Sequence, residues 1–286
     1  NYAGQVEALR AASTNLTRNE QKRVAETMLD TDATKISWSA NLKDDYSKLK
    51  AIQFEPASLI DGIYRPFTRL NLYFNVDLIE RPGSAKRVFP QSSTANVAIY
   101  LSGVGASKPF SALAVSAVPN LHLLDSGQYF PMYIYSKEEV VEGQFPDMEK
   151  EGELIDGYRR TSAITDEILA LCRSAYEAKI VQEDIFYYVY GVLHSPEYRS
   201  RFASDLKKML PRIPLTKETA DFWRFSQAGR DLAEWHLNYE TVKPYDLHEH
   251  SSVLGLDPEK DYEVTKMTFG RKDKGIDKTT IIYNNK

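Results

Sequence analysis

The chain has 286 residues, 42% of them hydrophobic and 27% charged, which is enough apolar content for one large or two modest cores and excludes disorder as the default. A net charge of -4 excludes the basic signature of a general nucleic-acid coat, although a local basic patch remains compatible with it. The single cysteine, Cys172, excludes an internal disulfide, and the longest apolar run, "FSALAVSAV", falls far short of the roughly 18 residues of a membrane span, so a reducing, cytoplasmic setting with no membrane partner is expected.

In chain order, the N-terminal residues are helical in pattern. Thr17-Arg18-Asn19-Glu20 has the Ser/Thr-x-x-Glu form of a capping box, with Val24, Ala25 and Met28 on one face of the helix that follows. "TKISWSANLKDDYSKLK" is mixed and polar, and residues 1–50 read as a helical connector that leans on a neighbouring domain. From "SLIDGIYRPFTRLNLYFN" the period changes to two. The runs "ANVAIYLSG", "FSALAVSAV", "LHLLD" and "YFPMYIYS", separated by Gly, Pro and Ser turns, predict an antiparallel sheet and a β-rich region over 60–135.

The acidic stretch "EEVVEGQFPDMEKEGELIDG" reads as a solvated loop. Helices are then predicted in "TDEILALCRSAYEA", with Ile168, Leu171, Cys172 and Tyr176 at helical spacing, in "EDIFYYVYGVLH" and in "SPEYRSRFASDLKKML". A further helix in "KETADFWRFSQAGRDLAEWHLNYE" turns Phe222, Phe225, Gly229 and Leu232 inward, making 160–240 helical. Strands "YEVTKMTF" and "KTTIIYN", turned by "GRKDKG", give a β-return over 260–286. The fold class expected is α+β: a largely antiparallel sheet with flanking helices over 51–286, preceded by an N-terminal helical segment. The chain opens at Asn1 and closes on a strand-like run, so a piece of a longer polypeptide is expected.

Catalytic motifs are mostly missing. No Gly-x-x-x-x-Gly-Lys-Ser/Thr loop occurs, and "GVG" at 103–105 leads into a strand where a dinucleotide loop needs a helix, so a hairpin glycine pair is the better reading. "HEH" at 248–250, near Asp246, offers two imidazoles on one side of an extended segment but no evident third or fourth ligand, which favours an exposed loop over a metal site. His194, Ser195 and Glu197 have the residue types of a catalytic triad. Ser195 before Pro196, however, matches a helix N-cap with proline at the first helical position, and triads are assembled from distant segments. In the helix that follows, Tyr198, Phe202, Leu206 and Met209 form the predicted buried stripe, flanked by Arg201 and Lys208 on one side and Arg199 on the other, with Lys207 pointing away.

The β portion carries the clearer recognition signal. Residues 65–108 contain Arg65, Arg69, Arg81, Lys86, Arg87 and Lys108 against Asp77 and Glu80, six minus two, a local balance of +4 in an acidic chain. Arg65, Arg69, Lys86, Arg87 and Lys108 are of the type that meets phosphates, and Ser92, Ser93, Thr94 and Asn96 in "PQSSTAN" of the type that meets base edges. Arg201 and Lys208 would add backbone contacts. An ordinary polar sheet rim accounts for the same composition.

"IYRPF", "LYFN", "FPQSS", "LHLLDSGQYFPMYIY", "ITDEIL", "EDIFYYVYGVLHSPEYRSRFASDLKKMLPRIP", "DFWRFSQAGRDLAEWHLNYE" and "KTTIIYN", in that order, resemble the C-terminal specificity part of the single-polypeptide type ISP restriction-modification enzymes, helicase-methyltransferase fusions often labelled DEAD/DEAH-box helicases. The resemblance spans nearly the whole chain and implies a target recognition domain that binds double-stranded DNA. It also implies partners in the same polypeptide, an upstream methyltransferase and helicase with an endonuclease, whose cofactors are S-adenosylmethionine, ATP and Mg. With no Asn/Asp-Pro-Pro-Tyr motif and no nucleotide loop in this chain, the family's chemistry maps onto no residue here, and no cofactor is expected in this part. Residues 1–50 would then connect to the methyltransferase. The rival expectation is a docking module that assembles the enzyme's domains without touching DNA.

Overall fold

The computed structural model describes residues 2–32, 34–79, 83–138, 151–248, 257, 263–264, 266–272 and 275–283. The chain divides into two compact units, Asn1–Thr241 and Val242–Lys286. In the first, α1 (Tyr2–Ala12), α2 (Arg18–Met28) and α3 (Ala40–Ser47) enclose a small core of Tyr2, Val6, Leu9, Ala25, Leu42 and Tyr46. The capping box forms as expected: Glu20 N donates to Thr17 Oγ1 at 3.4 Å and Thr17 N donates back to Glu20 Oε2 at 2.8 Å. Of the predicted face, Ala25 is buried and Val24 partly so, whereas Met28 at the helix end is exposed.

Strands β1 (Leu59–Arg65) and β2 (Thr68–Tyr73) form an antiparallel hairpin closed by Pro66 and Phe67, and β5 (Val118–Pro119) pairs parallel with β1. Next to it lies the sheet β4-β3-β6, made of β3 (Ala98–Ser102), β4 (Ala112–Val115) and β6 (Gly127–Pro131), all antiparallel. Every residue of β3 and β4 is buried, because the two faces of these strands serve two cores. Ile99, Leu101, Ala112 and Ala114 pack against the helices, while Ala98, Tyr100, Leu113 and Val115 pack against the β1–β2 hairpin and the short helix α4 (Ala85–Val88).

Three sequence expectations change here. "LHLLD" is a turn and not a strand: Leu123 N donates to Asn120 O and His122 N to the Asn120 side chain, the local capture that asparagine makes after a proline. "YFPMYIYS" breaks at Met132, whose N–H donates to Val97 O, so that β6 and β7 (Tyr133–Lys137) belong to different sheets. The acidic stretch is only partly a loop candidate. Its residues 139–150 lie outside the described residues, but β8 (Glu153–Ile155) pairs with β9 (Tyr158–Ser162) through Asp156 and Gly157, both at positive φ, +49° and +79°, the turn that Asp-Gly favours.

Helix α5 (Asp166–Ala175) buries Leu169 and Cys172, whereas Ile168 and Leu171 are 45% and 50% exposed, one residue off the predicted stripe. Its core face is the 169, 172, 176 spacing, with Tyr176 packed against Phe222. Helices α6 (Gln182–His194) and α8 (Thr219–Leu237) form the main helical pair. Their axes come close because Gly191 and Gly229 meet: a Cβ on Gly229 would lie 2.0 Å from Tyr187 O, and one on Gly191 2.2 Å from Phe225 O. Phe222 and Gly229 are buried as expected, with Phe225 and Leu232 partly buried.

Ser195 ends α6 and caps α7 (Pro196–Arg201), its Oγ accepting from Tyr198 N at 3.3 Å. The helix stops after Arg201 and the chain continues to residue 209 in hydrogen-bonded turns. Tyr198 and Leu206 are buried as predicted. Met209, expected in the same stripe, is 41% exposed, because the helical period does not extend that far. Tyr198 and Tyr188 then bind Arg212 O and Pro214 O, which folds the Pro-bounded return against α6.

In the second unit, β10 (Thr268–Lys272) and β11 (Gly275–Ile282) form the predicted antiparallel ribbon. Tyr262, from which the first strand was expected, lies outside the described residues, as does part of the "GRKDKG" turn.

A polar cluster of Tyr190, His194, His236 and Arg199 sits where α6, α7, α8 and β4 meet. Ala114 N donates to Tyr190 Oη at 2.8 Å, leaving the phenol proton to donate to His236 Nδ1 at 2.5 Å. Arg199 has only donors, so its contact with His194 Nδ1 at 3.2 Å puts the imidazole proton on Nε2, which is buried without a hydrogen-bond partner among the described residues. His194 and Ser195 are thus occupied at the corner, Ser195 with the Tyr198 amide and His194 with Arg199. Burial first, and then the positive charge of Arg199, push His194 down to about 4, and burial lowers His236 as well.

Ser195→Ala should cost about 1 kcal/mol in a denaturant titration through loss of the cap, and an unchanged midpoint would remove that role. The histidine fixes a sign for pH. The unfolded imidazole takes up a proton near 6.5 and the folded one only near 4, so stability is complete above 6.5 and declines as pH falls between these values. In His194→Gln the decline should be shallower by about one proton, read from titrations at several pH values; an equal slope would contradict the buried neutral imidazole.

Candidate nucleic-acid interface

The residues singled out in the sequence fall largely at the two ends of β3. Before the strand lie α4, with Lys86 and Arg87 exposed, and the segment 90–97, with Ser92 and Ser93 exposed and Thr94 half-buried. Lys86 leans over the Phe74 ring at 5.9 Å, and Thr94 Oγ1 accepts from Gln91 N at 3.3 Å, which tightens the loop. Glu80 and Arg81, which entered the local charge balance, lie outside the described residues.

Asn96 does not belong with its neighbours. It is 6% exposed, and its side-chain amide makes four hydrogen bonds: to Val88 O and Tyr133 O through Nδ2, and from Val97 N and Tyr133 N through Oδ1. Nothing of it is left for a base edge. It latches α4 and β7 to the start of β3.

After the strand comes the β3–β4 loop, residues 103–111, with Lys108 exposed. Its glycines behave as a hairpin pair, as expected: a Cβ on Gly103 would lie 2.6 Å from Ser126 O, and Gly105 has φ +78°. The loop is tied to a segment remote in sequence. Gly105 N donates to Lys207 O at 3.0 Å, and the Arg199 guanidinium lies 5.8 Å from the Phe110 ring centre. The loop that carries Lys108 therefore lies against the turns that carry Lys207 and Lys208, and all three lysines are exposed. Asp125 lies beside them, its carboxylate held below the usual range by the Ser107 hydroxyl and amide, both at 2.7 Å. Arg201, also exposed, lies 5.7 Å from the Phe202 ring centre.

Arg65 and Arg69 form a third group on the β1–β2 hairpin. Arg65 is exposed beside the turn, its guanidinium 4.1 Å from the Tyr64 ring centre and donating to Tyr64 O at 2.9 Å. Arg69 donates to Ser116 Oγ at 3.2 Å and to Leu237 O at 3.0 Å, where a cation meets the carbonyl end of α8. That bond makes Arg69 a tie between hairpin and helix. Among the described residues, Arg65, Arg69, Lys86, Arg87, Lys108, Arg201 and Lys208 take part in none of the ion pairs, unlike Lys50 with Asp45 and Asp77 or Arg230 with Asp184.

Sequence reading missed the junction of the two loops. It gives Arg201 and Lys208 only added backbone contacts beside the β portion and turns Lys207 away. A main-chain bond between residues 105 and 207 has no signature in residue type. Of "HEH" at 248–250, His248 is among the described residues and the other two positions lie outside them.

Asn96→Ala should destabilise the chain by about 2 to 3 kcal/mol in a denaturant titration, since it removes buried hydrogen bonds and leaves their partners unpaired. A midpoint unchanged from the parent would contradict the latch.

The model of the Type ISP C-terminal specificity domain matches residues 2–286. No curated protein matches the chain. Among solved structures, the chain is similar to the DrdV–DNA complex, at 29% identity and a TM-score of 0.74, over 95% of this chain and 24% of that one. It is similar to a nuclease-deletion mutant of the Type ISP restriction-modification enzyme LlaGI in complex with a DNA substrate mimic, at 31% identity and a TM-score of 0.69, over 99% and 22%. It is also similar to the ATP-dependent Type ISP enzyme LlaBIII bound to DNA, at 29% identity and a TM-score of 0.66, over 100% and 17%. The chain therefore spans a quarter or less of the length of these structures. With a match that runs over nearly every residue and a shared fold, the chain belongs to the Type ISP C-terminal specificity domain family.

Proposed function

We propose that this chain is the target recognition domain of a larger restriction-modification polypeptide. It binds a short, specific double-stranded DNA site and positions it for N6-adenine methylation, or for ATP-driven translocation and cleavage, by domains upstream. Those domains, a methyltransferase and a helicase with an endonuclease, would hold S-adenosylmethionine, ATP and Mg and supply the chemistry, in a cytoplasmic setting. Residues 1–50 act as the helical connector to the methyltransferase, and 51–286 as the recognition domain.

The observation that carries this reading is the bond from Gly105 to Lys207 O, which brings the loop of Lys108 against the turns of Lys207 and Lys208, three exposed cations that take part in no ion pair among the described residues. Lys86 and Arg87 supply a second basic group before β3, and Arg65 and Arg201 add exposed cations. Lysines on flexible stems suit phosphates, which fix register and orientation without reading sequence. Ser92, Ser93 and Thr94 present hydroxyls on the loop beside the second group and are assigned to base edges. Likeness to three enzymes solved with DNA or a DNA mimic supports the same partner here. Against a docking module that never meets DNA stands this accumulation of cations that form no ion pair among the described residues, on a chain acidic overall.

The pairs Lys207→Ala/Lys208→Ala and Lys86→Ala/Arg87→Ala should each weaken binding to all duplex sequences alike. Each should flatten the log–log salt dependence by about 1.8, the value of two phosphate contacts. Changes at Ser92, Ser93 or Thr94 should instead shift preference at single positions by about 1 to 3 kcal/mol. Duplex binding that neither pair alters would favour the docking module.

A further inference from the structure

We propose that Val104 reads the 5-methyl group of a thymine, adding an apolar specificity contact to the basic surface; this rests on the DNA-binding reading above. Val104 is 53% exposed at the tip of the β3–β4 loop, between two glycines. An exposed valine alone is unremarkable in a folded protein. What sets this one apart is how firmly its backbone is held. Gly103 N donates to Ser126 O at 2.5 Å, Gly105 N to Lys207 O at 3.0 Å and Ala106 N to Gly103 O at 3.1 Å. Ser107 binds Asp125 through both its amide and its hydroxyl.

The loop cannot fold the isopropyl group back into either core without breaking these ties. Gly103 admits no side chain against Ser126 O, and the positive φ of Gly105 sets the turn that holds Val104 outward. A β-branched side chain adds stiffness at χ1, so the methyl groups keep a fixed direction. The surroundings select the ligand. Lys207, whose carbonyl accepts from Gly105, and its neighbour Lys208 lie on the turns against the tip, and Lys108 follows on the same loop, all three exposed, so a partner bringing an apolar group here also brings negative charge. Duplex DNA offers that combination in the major groove, where thymine alone among the four bases presents a methyl group between phosphate rows. A preorganised apolar tip loses little freedom on contact.

The test begins with the site that the wild-type chain selects from a randomised duplex pool. Each thymine in it is then replaced by deoxyuridine, which removes only the 5-methyl group, and Kd is measured for wild type and Val104→Ala. At one thymine the wild type should lose about fourfold in affinity, the worth of one buried methyl-sized group, while Val104→Ala binds both forms alike with an unchanged melting midpoint. A selected site without thymine, no position sensitive to the methyl group, or a sensitivity that persists in Val104→Ala would each overturn the assignment while leaving the recognition function standing. Failure of the wild-type chain to select any sequence would overturn the recognition function itself.

Discussion

The first unit depends on a single strand pair buried on both sides. In β3 and β4, alternate residues point into different cores: Ile99, Leu101, Ala112 and Ala114 toward the helices, and Tyr100, Leu113 and Val115 toward the hairpin and α4. A register slip by one residue would exchange the two sets, placing Tyr100 where Ile99 or Leu101 fits, so both cores enforce the same pairing. That fixes the positions of the segments entering and leaving β3. Loops on a sheet so constrained can present exposed cations in set directions, which a sheet with one solvent face would hold less firmly.

The helical side transmits the same order to the second basic segment. Close contact at Gly191 and Gly229 seats α6 on α8, and α6 carries Tyr190, whose hydroxyl receives Ala114 N from β4. At the end of α6, Ser195 and Pro196 turn the chain, Arg199 donates to Leu193 O at 2.6 Å and reaches Phe110, and the following turns meet Gly105. A cluster of uncharged tyrosine and histidine side chains around Arg199, together with a helix cap, thus brings the turns of Lys207 and Lys208 against the loop of Lys108. Neutral histidines suit that position, because an imidazolium next to Arg199 would add a second buried positive charge.

Local patterns were legible in the sequence. Thr17 with Glu20, Ser195 with Pro196, the burial of Cys172 and the hairpin glycines all depend on neighbours within a few residues, and each appears as read. The failures share a cause in tertiary context. Asn96 has the composition of a recognition loop but is consumed by α4 and β7, and Arg69 counts as a free cation until the carbonyl end of α8 lies against it. Ile168 and Leu171 fit a helical stripe as well as Leu169 and Cys172 do, and only the packing partner decides between them. Asp156-Gly157 was a legible signal passed over within an acidic stretch.

On the proposed reading, the β3–β4 loop and the turns after α7 form one face toward DNA. Amide hydrogen exchange of the chain with and without a cognate duplex tests it most directly, since it reports every segment in one measurement. Protection should arise together in residues 103–109 and 202–209, with further protection around 86–94. Protection confined to only one of the first two segments, or found only within α1–α3, would contradict it.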